Sequence, residues 1–212
     1  MLIANSHDVA VCVAKDWLRV GPNTTIEPNV EICHPTRSGE THPVILGGGC
    51  HIRSGSVIYS GVRFGDNCQT GHHVVVRENT RIGNSSVLGT AVTVEMSSTI
   101  GNHVLIETQC HLTAYLIVED YVFMGPSCVT TNDLRMLHRR AGAGAHLVGA
   151  TIQWGARIGG GTVILPAVII GRESIVAAGS VVARDIPAKT LAAGNPVRLL
   201  GPVTEDEPVL MD

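Results

Sequence analysis

The chain has 212 residues, a length that suggests one domain, and 15 Lys and Arg against 18 Asp and Glu give it a formal charge of −3. It has no broad basic field, so nucleic acid is excluded as a default partner. Hydrophobic residues reach 44% but aromatics only 3%, with 24 Gly; the interior must be built from small and β-branched aliphatics, as a narrow, repetitive core requires.

In chain order, residues 1–19 carry no repeat and read as an N-terminal cap. The opening stretch MLIANSHDVAVC lacks the basic flank and long apolar core of a signal peptide. The longest apolar run, Val163 to Ile170, contains Pro166 and is too short to cross a bilayer. The expectation is a cytoplasmic protein with no membrane partner. The six Cys form no C-x-x-C pair, so neither a zinc ribbon nor a redox motif is indicated.

A six-residue rhythm then takes over. It begins at Val20, Ile26 and Ile32, breaks over 33–45 (CHPTRSGETHPVI), and resumes at Leu46, Ile52, Ile58 and Phe64. From Leu46 to Thr130 thirteen of the fifteen positions are large and apolar, and the register never slips. Two residues before each lies a second series, small or β-branched except at Leu116, that includes Cys50, Cys68, Cys110 and Cys128. Residues two apart on a strand point the same way. Each unit is therefore a short strand with one small and one large inward side chain, followed by a Gly-permissive corner. A helix would space its apolar residues three and four apart. Three units close a triangular coil of 18 residues, and coils stack as parallel strands about 4.8 Å apart. Cys50 then lies over Cys68, and Cys110 over Cys128, as reduced core thiols.

After Thr130 the rhythm is broken by a basic loop, 134–147 (LRMLHRRAGAGAHL), and returns from Ile152 to Val182. A protruding loop adds nothing to solenoid stability, so this one is expected to bind something. Residues 185–201 end the repeat, and the tail 203–212 (VTEDEPVLMD) is acidic. The predicted architecture is all-β: about eight coils over 20–184, an inserted loop, and a C-terminal extension at 185–212.

The stretch from Gly155 to Gly201 contains G-S-V-V at Gly179–Val182, D-I-P at Asp185–Pro187 and A-G-N-P-V-R at Ala193–Arg198. It resembles the signature of the hexapeptide-repeat acyltransferases. That resemblance implies a left-handed parallel β-helix, a homotrimer, and acetyl-CoA as acyl donor. Residues 118–133 (VEDYVFMGPSCVTTND) are similar to a segment of N-acetyltransferases that act on nucleotide-linked amino sugars, matching at Gly125, Pro126, Ser127, Thr131 and Asn132. Position 130 is Thr where that group often has Phe, and Leu134-Arg135-Met136 replaces its usual Pro-Arg.

Register turns this into a site. Gly159, Gly160 and Gly161 stack beneath Ala177, Ala178 and Gly179, which reads either as tight corners or as a smooth groove with accessible amides. In the family such a groove takes the pantetheine arm, with cations such as Lys189 and Arg198 for the phosphates. Down the same corner run Pro126, Thr108, Thr90 and His72, and beside them Ser127, Gln109, Ala91 and His73. An arm lying along this column places the thioester near Gln109 and His111. His111 and His72 are the candidate general bases. Gln109 and Asn132 are candidates for positioning an amine that attacks unaided. His73, Thr108, Asp133, Arg135 and His138 are the candidate acceptor contacts. Glu78, Glu95 and Glu107 are expected to be solvated. No metal site is expected: the γ-type carbonic anhydrases share the fold but pair histidines five apart, a spacing absent here. Three rival functions stay open beside N-acyl transfer: acyl transfer to a hydroxyl, a γ-carbonic-anhydrase-like zinc enzyme, which the count of ten His keeps in view, and a β-helix that serves as a scaffold without catalysis.

Overall fold

A computed structural model describes residues 9–39, 41–140 and 146–204. Residues 1–8 of the expected cap, 141–145 of the loop and most of the acidic tail, from 205 onward, lie outside the described residues.

The short helix α1 (Val9–Ala14) precedes a run of two- to five-residue strands. They form three sheets, one of ten strands and two of eight, in which each strand pairs with those of the coils below and above. The chain is a left-handed parallel β-helix. The first sheet begins at Leu18–Val20, the second at Thr25–Ile26 and the third at Glu31–His34. The expected register holds: Thr93 pairs with His111 and Val94 with Leu112. The loop does not disturb it, since Val129 pairs with Val163 and Ile117 with Thr151 across the insertion. The earlier excursion is absorbed with a register shift at Ile32/His34. At the top, Thr190–Ala193 adds in parallel to Ile175–Val176, and Arg198–Pro202 folds back antiparallel.

Both inward series are buried from Val30 upward, while at the lower end Val20 is exposed and Ile26 half-buried. The two threonines in the large series carry no unsatisfied-hydroxyl penalty, because each oxygen accepts a neighbouring coil's amide. Thr70 Oγ1 takes Arg53 N–H at 2.9 Å, and Thr130 Oγ1 takes Thr113 N–H at 2.8 Å. All six cysteines are free and buried. Cys50, Cys68, Cys110 and Cys128 each donate to a corner carbonyl, those of Gly65, Gly83, Gly125 and Gly159, at 3.0–3.3 Å. The adjacent Cys50 thiol and burial push Cys68 far above the ordinary thiol range. Among the described residues no helix is long and apolar enough to cross a membrane.

The corner after the first sheet carries its own ladder. Asp66, Asn84, Asn102 and Asp120 each accept, through Oδ1, the backbone N–H of the residue one coil below, at 2.7–2.8 Å. The middle amides of that corner are thereby already paired. Glu78 departs from the expectation of a solvated acid: it is 7% exposed and held bidentately by Arg77 at 2.7 and 2.8 Å. Burial alone would raise its carboxyl. The Arg77 hydrogen bonds and a backbone amide outweigh that and hold it below the usual carboxylate range.

Candidate active site

The expected glycine corner follows the second sheet. Gly159–Gly161 lie beneath Ala177–Gly179, since Ile158 pairs with Val176. The residues there are small for two different reasons. A Cβ on Gly159 would sit 2.3 Å from Ala178 N, so glycine is required there for the coils to stack, whereas one on Gly160 would lie 3.0 Å from Pro126 O, a tight fit at a position where other coils carry Pro126, Thr108 and His72. Gly161 and Gly179, at φ +70° and +71°, face open space. The amides are also less accessible than the sequence suggested. Those of Gly159, Gly161, Ala177 and Gly179 already donate to Val176, Pro126, Ala192 and Gly160. The middle residues Gly160 and Ala178, and Thr108 and Thr90 lower down, keep N–H groups with no protein acceptor among the described residues. This corner lacks the Asx ladder that caps the middle amides after the first sheet.

Lys189 does not join the glycines. Its amide donates to Arg172 O and its ammonium pairs with Glu173 at 3.4 Å, which places it on the first corner. Arg198 pairs across from Ala193, on the strand capping the second sheet, and is exposed.

Lower on the second corner, Gln109 and His73 occupy left-handed backbone at φ 62° and 57°. His72 Nδ1 lies 2.9 Å from Ser54 Oγ. Ser54 N–H in turn donates to Glu27, whose other oxygen meets His51 Nε2 at 2.8 Å. Those two hydrogen bonds, Ser54's amide first, lower the Glu27 carboxyl.

His111 projects outward from the third sheet, as its position between inward Cys110 and Leu112 required. Its acid partner is Glu95: Nε2 lies 3.4 Å from Glu95 Oε1. Glu95 Oε2 accepts Ala114 N–H at 3.0 Å, and Asn132 Nδ2 donates to Ala114 O at 3.3 Å. One peptide residue thus holds the acid from below and the amide from above. Sequence reasoning passed over Glu95. The signal was there: Thr93 stacks under His111, and residue 95 projects to the same side as 93.

The third corner opens into a cavity of about 370 Å³ lined by Thr113, Thr131, Asn132, Asp133, Leu134, Met136, Leu165 and Pro166. Glu95, Thr113, Thr131 and Leu165 occupy one corner position in successive coils, so His111 belongs to the coil of Thr113 that floors the cavity and Glu95 to the coil below it. Asp133 Oδ1 accepts the amides of Arg135 and Met136, both at 2.9 Å, and so folds the start of the loop. Arg135 and His138 are exposed and line no part of the cavity. The structure therefore links His111, on the third sheet, to Asn132 through Glu95 and Ala114, and sets Asn132 and Asp133 together in the third-corner cavity. Gln109, Thr108, His72, His73 and the glycines lie on the second. Among the described residues no three His, Cys, Asp or Glu side chains converge as a metal would need.

No family model matches the chain. A solved hexapeptide-repeat-containing acetyltransferase of Vibrio cholerae, complexed with acetyl coenzyme A, is 30% identical with a TM-score of 0.52, over 58% of this chain and 71% of that one. The chain belongs to the hexapeptide-repeat acetyltransferases. A candidate acetyltransferase of Bacillus cereus shares the fold across 83% of this chain and 85% of its own, at 21% identity and a TM-score of 0.53. A candidate acetyltransferase of Saccharomyces cerevisiae is 38% identical over 96 residues, 44% of this chain. That match spans 49%, about half, of the yeast protein's length.

Proposed function

We propose that the protein transfers the acetyl group of acetyl-CoA to the amino group of a sugar, nucleotide-linked, and that it works as a cytoplasmic homotrimer. The observation that carries this reading is the His111–Glu95 pair, fixed through Ala114 at the foot of the cavity where the loop leaves the coils. The acetyl-CoA complex of the Vibrio cholerae relative supports the donor. Glu95 faces Nε2, so Nδ1 of His111 is the atom left to take a proton. The amine nitrogen attacks the thioester carbonyl, the N–C bond forms and the C–S bond breaks. The amine proton passes through His111 to the departing thiolate. Asn132, held by Ala114, and Gln109 position the reactants.

The free amides of Ala178, Gly160 and Thr108 form a line down the second corner suited to a pantetheine arm, with Arg198 near its upper end. Gln109 and Thr113 are four residues apart along one edge of the third sheet, about 13 Å at strand spacing. An arm on the second corner and an acceptor in the third-corner cavity of one chain are therefore held apart. A homotrimer that sets one chain's second corner against its neighbour's third corner closes that gap.

His111 and Glu95 also favour a second reading, transfer to a hydroxyl, which needs a true base. Release of free thiol from acetyl-CoA, measured across matched amino and hydroxy sugar nucleotides, separates the two. Release with the amino compounds alone supports N-acylation. Release with the hydroxy compounds alone establishes O-acylation, and release with neither refutes acyl transfer to sugars.

A further inference from the structure

The third-corner cavity is chemically lopsided. Leu134 and Met136 from the loop and Leu165 and Pro166 from the coil above form its hydrocarbon walls, while Thr113, Thr131, Asn132 and Asp133 are its polar lining. The polar groups belong to the coils nearest the His111–Glu95 pair, and Leu165 and Pro166 to the coil beyond. Among the described residues no Lys, Arg or His lines the cavity, and one carboxylate does. Asp133 commits Oδ1 to the loop amides, and its Oδ2 takes no hydrogen bond from the described residues. The basic side chains of Arg135, His138, Arg139 and Arg140 all lie outside.

A polyhydroxylated ring pressed against Leu165 and Pro166 would lose its water without gaining partners. A phosphate there would meet a carboxylate and no cation. An ammonium meets Asp133 Oδ2. These three arguments point to one kind of occupant. We propose that the cavity binds the acceptor amine, and that it selects acceptors bearing a hydrocarbon substituent on the side facing Leu165 and Pro166, with any phosphates held outside. This assignment rests on the acetyl-transfer reading above and specifies its acceptor. The amine enters as the cation beside Asp133, loses one proton to solvent, and then attacks as the neutral base. The hydrocarbon group excludes water from the walls and fixes the ring.

The test compares 2-amino-2-deoxyglucose with 2-amino-2,6-dideoxyglucose, which carries a methyl in place of the hydroxymethyl group, each as the free sugar and linked to UDP. Thiol release from acetyl-CoA is followed for the full chain and for its Leu165→Gln variant. One methyl-sized group in an apolar pocket discriminates by about ten-fold or more. The expected result is at least that preference in kcat/KM for the 6-deoxy compounds, lost in Leu165→Gln while KM for acetyl-CoA is unchanged. Equal turnover of the two sugars, or a preference that survives Leu165→Gln, overturns the selection while leaving acetyl transfer standing. No thiol release with any of the four sugars overturns both.

Discussion

Replacing Gly159 by Ala tests whether the glycine corner is small for the sake of the coils or of a ligand. The new Cβ would lie 2.3 Å from Ala178 N, where ordinary contact begins at 3.4 Å. The clash is with backbone, so the coil above has to move by about 1 Å out of a spacing near 4.8 Å. Overpacking of this kind costs ~1–3 kcal/mol, and the upper half applies because no side chain can swing away. Gly161→Ala is the control. Its Cβ meets nothing, and its φ of +70° is one that Gln109 and Ser127 hold in the same corner at 62° and 59°. The left-handed conformation costs it ~1 kcal/mol. Urea unfolding followed by far-ultraviolet circular dichroism should therefore show Gly159→Ala less stable than Gly161→Ala by ~1–2 kcal/mol. Equal losses would refute the close-approach argument. So would a Gly159→Ala protein of full stability whose only defect is weaker acetyl-CoA binding.

His111→Ala should lower kcat by about 100-fold or more with KM for acetyl-CoA little changed, as loss of a general base does. Glu95→Gln keeps an oxygen for Ala114 N–H, so it should fold normally and lose about ten-fold in kcat by steady-state thiol release; an unaffected Glu95→Gln would leave His111 unassisted. Arg77→Ala leaves the Glu78 carboxylate buried and unpaired. It should cost ~1–2 kcal/mol at neutral pH, less than for a fully enclosed pair because Arg77 is 32% exposed. Since the Glu78 carboxyl is lowered from 4.5 in the folded state, the stability it lends is full above that value and is lost as pH falls through the lower folded one. The gap between parent and Arg77→Ala should close on acidification, measured as urea midpoints across that range.

The fold was legible because the hexapeptide pattern is local: every inward residue announces its neighbour 18 positions on, and Thr70 and Thr130 cost nothing once their hydroxyls reach a stacked amide. The site was legible in part. His111 faces outward because its two neighbours face inward, a one-strand argument. Glu95 was missed because its meeting with His111 is diagonal, one coil down and two residues on, and a corner acid looks solvated until Ala114 is seen to hold it. Lys189 was misplaced because the register ends with the repeat: Gly171 stacks on Ala188, which carries Lys189 to the first corner. Gly159 and Gly161 look alike in sequence and differ only in what stands above them.

If the catalytic unit pairs the second corner of one chain with the third corner of the next, mixed trimers reveal it. Ala178→Trp fills the donor groove on an exposed corner residue, outside the packed core. His111→Ala removes the base on the other corner. Each variant alone should be nearly inactive. Co-expressed in equal amounts they assemble at random, and in a cyclic trimer each junction takes its two corners from different chains. About one junction in four over the whole population then joins an intact second corner from a His111→Ala chain to an intact third corner from an Ala178→Trp chain, restoring about a quarter of parental activity in the unfractionated trimers and about a third in the purified mixed species. A site complete within one chain gives no restoration, because every chain in the mixture carries one of the two defects. Failure to complement, with trimers verified by light scattering, would require the pantetheine arm to cross the face of the third sheet, past His111 itself.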